Sequence, residues 1–104
     1  MPETFLRGFA LYDLSAGGES DRAALAQFDA AVAADPNYAA AHAMRATMLA
    51  SVANLTNSSN EMRDFYRKSE AAARRAIALE PKLARGHLAL GFALNGFAVW
   101  LVWD

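Results

Sequence analysis

The sequence predicts an all-α chain of about five helices arranged as antiparallel hairpins, and three observations carry that expectation. About a quarter of the 104 residues are alanine, and the β-branched and aromatic residues that strands prefer are sparse. Residues 31–49 (AVAADPNYAAAHAMRATML) align without gaps on residues 76–94 (AIALEPKLARGHLALGFAL), 45 positions later. Both copies carry an acidic residue followed by proline, Asp35-Pro36 and Glu80-Pro81. Proline lacks the N–H and disfavours α geometry in the residue before it, so each pair ends one helix and lets another begin beyond the ring.

The elements follow in order. A first helix is expected over about residues 3–14, then a flexible Gly/Ser-rich turn to Ser20, which can cap the next helix. Over residues 21–34, Leu25, Phe28 and Val32 with Ala24 and Ala31 recur at three, four and seven, which makes one apolar stripe. Beyond the first corner a helix over about 38–53 runs into the polar loop 54–60, whose Asn, Thr and Ser side chains bond to their own backbone. Ser59 or Asn60 can cap a helix over 61–79 that turns Met62, Phe65, Tyr66, Ala73, Ala76 and Ile77 toward a neighbour. The last helix begins near Leu83. The order is A, B, A, B, A in one domain, 1–104, with units at about 1–36 and 37–81 and an incomplete one at 82–104. A fragment of a longer array is therefore expected.

Composition narrows the functions. Lys+Arg 10 against Asp+Glu 11 gives a formal net charge of -1, without the basic excess that a phosphate backbone needs, so no nucleic-acid partner is expected. Without cysteine there is no disulfide scaffold, zinc knuckle, iron–sulfur cluster or thiol nucleophile. Glu3 and Asp13 interrupt any secretory leader in the first residues. Nothing fixes the compartment, and the cytoplasm is slightly favoured. Residues 88–103 are uncharged and end in Trp100 and Trp103, yet this stretch contains Gly91, Asn95 and Gly96 and falls short of the roughly 18–20 residues of a membrane span. A buried helix is the expected reading.

The residues resemble a family, the tetratricopeptide repeats, whose pattern is W-x2-L-G-x2-Y, then A-x3-F, then proline. Leu90-Gly91 with Leu94 nearby, and His87 in the tryptophan slot, are similar to the first part, and Ala24-x3-Phe28, Ala31 and Pro36 to the second. The period of 45 exceeds the family's roughly 34, the surplus falling in loops around Gly17-Gly18 and Asn57 to Asn60, where growth is inexpensive. The chain is also similar in style to repeat regions that follow the catalytic or DNA-binding domains of bacterial adenylate-cyclase-like and winged-helix regulators. The resemblance implies hairpins stacked as a short solenoid with a concave groove.

Carried over slot by slot, the groove wall would present Phe5, Phe9, Tyr12 and Asp13 from the first helix, Ala40, Ala43 and Thr47 from the third, and Arg85, Leu88, Phe92 and Asn95 from the fifth. An apolar wall with an aromatic end fits a partner helix or an extended peptide. Phe5 and Phe9 read equally well as core residues on the second helix. The carboxylate clamp of the family's chaperone-tail binders is absent, with Ala43, Thr47, Leu88 and Phe92 in those slots.

Catalytic inventory is thin. No cofactor, metal or catalytic residue is assigned, and no enzymatic activity is expected. His42 and His87 occupy equivalent slots, either for packing or, as the alternative function, for metal binding or acid–base chemistry with a carboxylate. Arg63, Arg67, Lys68, Arg74 and Arg75 interleave with Glu61, Asp64 and Glu70, the pattern of a solvated, self-neutralised face. Asn54-Leu55-Thr56 and Asn57-Ser58-Ser59 match the N-glycosylation pattern, which arises readily in a polar loop. The fifth helix is apolar all round, with Phe97, Val99, Trp100, Leu101 and Trp103 needing cover by further array or by a second copy in a homodimer. The expected function is a protein-interaction or ligand-sensing scaffold; a purely structural oligomerisation segment is a further alternative.

Overall fold

The computed structural model describes residues 3–14 and 18–103, with side-chain surroundings for residues 3–8 and 20–96. Phe97, Val99, Trp100, Leu101 and Trp103 lie outside the described side chains, as do Phe9, Tyr12 and Asp13. Five helices follow one another: α1 (Glu3–Leu14), α2 (Gly18–Ala34), α3 (Ala39–Ala53), α4 (Ser59–Leu79) and α5 (Ala84–Trp103). The described residues contain no strand, so the chain is all-α. Each helix packs on the next, and α3 also packs on α5.

Helix α3 is the centre. Ala41, Ala43, Met44, Ala46, Met48, Leu49, Val52 and Ala53 are all buried, as befits a helix covered on several sides at once. Its N-terminal half shares a core with Phe5 of α1 and with Ala24, Phe28 and Ala31 of α2. The expected stripe on α2 is the buried face. Phe5 meets Phe28 edge to face with centroids 5.6 Å apart, a favourable aromatic geometry. The C-terminal half of α3 packs on Ala72 and Ala73 of α4 and Ala89 of α5. Small residues there bring backbones close, and the fully buried Ser69 hydroxyl of α4 donates to the carbonyl of Ala46 at 2.7 Å.

Both acidic–proline corners are built alike. Asp35 N–H donates to Ala31 at 3.0 Å and Glu80 N–H to Ala76 at 2.9 Å. Tyr38 N–H then returns to the Asp35 carbonyl at 3.1 Å and Leu83 N–H to Glu80 at 3.0 Å. An Asx turn, with Asn37 N–H on the Asp35 carboxylate at 3.2 Å, tightens the first corner.

Two boundaries differ from expectation. Helix α2 begins at Gly18, so Ser20 lies within the first turn and is not its cap. Helix α4 is capped by Ser58, whose hydroxyl accepts from Glu61 N–H at 3.4 Å, one residue before the expected Ser59 or Asn60. The Ser58-x-x-Glu61 spacing is that of a capping box, which explains the earlier start. On the outer face of α4, Asp64 pairs with Lys68 and Glu70 with Arg74. No described helix is long and apolar enough to cross a membrane.

Candidate functional site

An open cleft of about 390 Å³ lies between α3 and α5. On α3 its wall is Thr47, Ala50, Ser51 and Asn54, spaced at zero, three, four and seven and hence on one helical face. On α5 it is Phe92, Asn95 and Gly96, again one face. Tyr66 of α4 joins the two walls.

Tyr66 is buried, and its ring lies where a side chain at position 96 would otherwise stand. Glycine at 96 is what lets α5 approach α4 there. The Tyr66 hydroxyl donates to the side-chain oxygen of Asn54, the residue that ends α3. That bond fixes which side-chain atom of Asn54 faces Tyr66, leaving its two amide N–H donors and the second lone pair of its oxygen for other partners. Burial pushes the Tyr66 phenol above its ordinary value, which keeps it a neutral donor. Thr47 donates its hydroxyl to Ala43 at 3.1 Å and retains acceptor capacity. Among the described residues the lining contains none that is charged. The cleft therefore combines one exposed aromatic ring, Phe92, with uncharged donors and acceptors.

The predicted groove residues separate. Thr47, Phe92 and Asn95 come together in the cleft. Leu88 stands one turn before Phe92 on the α5 surface, and the two are 59% and 45% exposed. Arg85 directs its guanidinium onto the sulfur of Met44 at 3.0 Å, which ties the start of α5 to α3. Phe5 is a correction: at 2% exposure it is a core residue rather than groove wall, because the rings of Phe28 and Tyr38 close over it at 5.6 and 4.9 Å. Ala43 is likewise sealed in the core. Phe9, Tyr12 and Asp13 fall outside the described side chains.

Sequence reasoning missed Ala50, Ser51, Asn54, Tyr66 and Gly96 as cleft residues. Ser51 follows Thr47 by one turn, so extending the same face count would have found it. Asn54 carries only loop and N-glycosylation signals in the sequence, and the meeting of Tyr66 with Gly96 has no local signal.

The histidines hold the corners. His42 Nε2 lies 2.8 Å from the Pro36 carbonyl and His87 Nε2 2.6 Å from the Pro81 carbonyl. A carbonyl only accepts, so Nε2 carries the proton in both rings and only Nδ1 remains for a ligand. Among the described residues no three His, Asp or Glu side chains gather in a way that would hold a metal. No family model, curated protein or solved structure matches the chain.

Proposed function

We propose that this chain is a non-catalytic interaction module, a helical-hairpin array of the tetratricopeptide kind, which receives an extended peptide or partner helix at the α3–α5 cleft. The observation that carries the reading is the exposed Phe92 ring on the lip of an uncharged cleft rimmed by Thr47, Ser51, Asn54 and Asn95. Leu88 extends the apolar strip by a turn along α5. An aromatic anchor surrounded by polar groups is how surfaces hold peptides, the anchor supplying affinity and the amides fixing the backbone. The lack of charge among the described lining residues favours a segment docked through an apolar side chain over one docked through a phosphate or carboxylate.

Selection of a displayed library of unstructured peptides against the purified chain tests this. Peptides that bind should carry an aromatic or branched apolar anchor, and should lose at least about tenfold in affinity with Phe92→Ala or Thr47→Arg. They should be unaffected by Leu6→Ser, an exposed position on α1, which supplies none of the described cleft residues. A library that yields no peptide dependent on Phe92 would sink the reading.

A further inference from the structure

Tyr66 of α4 is where the walls of the cleft meet. Its buried ring stands against Gly96 of α5, where a Cβ would fall within the ring, so ring and helix hold each other in place. Its hydroxyl donates to the side-chain oxygen of Asn54 at the end of α3. A buried phenol needs a hydrogen-bond partner, and any acceptor in reach would serve. The partner here is exposed and itself lines the cleft.

The backbone at that end of α3 is already engaged. The Ala50 and Ser51 carbonyls accept from Asn54 N–H at 3.3 and 3.2 Å, and Val52 accepts from Leu55 N–H at 3.0 Å. Ala53 accepts from Thr56 twice, from its N–H at 3.3 Å and its hydroxyl at 3.0 Å. The last carbonyls of a helix are ordinarily its open acceptors, and here the turn closes them. The polar group that this end of the helix turns to the cleft is therefore the Asn54 amide. An amide accepts at one end and donates at the other. By donating to the oxygen, the Tyr66 hydroxyl turns the nitrogen, with its two N–H groups, away from the ring.

Two N–H donors call for an acceptor. In a peptide that acceptor is a backbone carbonyl, and inside a helix each carbonyl is spent on the N–H four residues on. An extended segment keeps its carbonyls open to a neighbour. Thr47, Ser51 and Asn54 spread their polar groups over about 10 Å of α3, at the helical rise, which is about the length of three extended residues. We propose that Tyr66 is a positioning residue of the cleft, which fixes Asn54 as a donor to a backbone carbonyl of an extended segment anchored on Phe92. This rests on the peptide reading above and narrows it, because a partner helix has no interior carbonyl to give.

The probe is N-acetylphenylalanine methylamide, one apolar anchor between two carbonyls, titrated into the nitrogen-15-labelled chain. The Asn54 side-chain amide signals should shift, and those of Gln27 and Asn37, away from the cleft lining, should stay. Asn54→Asp keeps an acceptor for the Tyr66 hydroxyl but loses both donors, so affinity for the probe should fall about fivefold or more, the worth of one hydrogen bond. Tyr66→Phe keeps the ring against Gly96 and frees the amide to turn over, and should weaken binding by about threefold. In the Asn54→Asp background Tyr66→Phe should weaken binding no further while still lowering the urea midpoint, because no donor is left to aim. A Tyr66 that only shapes the cleft would cost the same in both backgrounds, and that result would overturn the proposal. So would parental affinity in Asn54→Asp. In either case a loss of binding in Phe92→Ala would leave the peptide reading standing, whereas a probe that shifts no cleft signal at millimolar concentration would overturn both.

Discussion

His42 holds the carbonyl of Pro36 through its Nε2–H at 2.8 Å, six residues back along the chain. His87 holds Pro81 in the same way, so the histidine of each copy is a brace for its own acidic–proline corner. A corner leaves backbone carbonyls without helical partners, and the ring supplies one donor. His42→Ala should lower unfolding stability by about 1 kcal/mol, the net worth of one such bond. His42→Phe separates bracing from packing: if the ring only filled an aromatic slot, Phe would preserve stability, whereas loss of the donor should make it as damaging as Ala. Urea unfolding of both variants, and of His87→Ala, reads this directly.

Ser69 is a polar side chain in an otherwise apolar seam between α3 and α4, fully buried and bonded to the Ala46 carbonyl. Ser69→Ala removes the donor and should cost about 1 kcal/mol. Ser69→Leu should cost more, about 1–3 kcal/mol, because the seam is closed by Ala72 and Ala73 and has no room for a larger side chain. If both variants unfold at the parental midpoint, the close approach of α3 and α4 is not what holds the seam.

Two glycines give opposite expectations for the same substitution. At Gly8 a methyl group would press on the Phe28 ring, itself fully buried, so Gly8→Ala should destabilise by about 1–3 kcal/mol. At Gly91 nothing is in the way, so Gly91→Ala should stabilise the monomer by about 0.5–1 kcal/mol through helix propensity. Thermal unfolding at a concentration too low for self-association makes the comparison. Equal signs for the two variants would mean that α1 does not rest on Phe28.

The helices were legible because each carries a local cause: the Leu25, Phe28, Val32 stripe, the two proline corners, and the polar loop before α4. The cap at Ser58 was displaced by one residue because several Asn and Ser side chains in that loop compete for the same role. Phe5 was the harder case. Its spacing on α1 fits a groove wall and a core equally well, and the decision rests on Tyr38, a residue of the first corner that lies 33 positions later and packs across its ring. The cleft was half legible for a similar reason. Thr47, Phe92 and Asn95 follow from face counting, but the Tyr66 contact with Gly96 and its bond to Asn54 are long-range pairings that periodicity within one helix does not encode.

Tyr38 and Tyr66 make the fold sensitive to alkali. Burial raises the phenol of Tyr66, and burial followed by the nearby Asp35 carboxylate raises that of Tyr38, both from the ordinary 10.0. In the unfolded chain both titrate near that ordinary value, so above it the unfolded state binds fewer protons than the folded one and stability falls as pH rises. Below that range both states keep the phenolic protons and these groups impose no slope. Unfolding free energy should therefore decline from about pH 10 upward. Tyr66→Phe should flatten part of that decline while lowering stability at neutral pH by about 1 kcal/mol through loss of the bond to Asn54. The two effects separate the phenol's titration from its hydrogen bond. An alkaline slope that is the same in the parent and in a Tyr38→Phe, Tyr66→Phe double variant would show that neither ring is shielded as described.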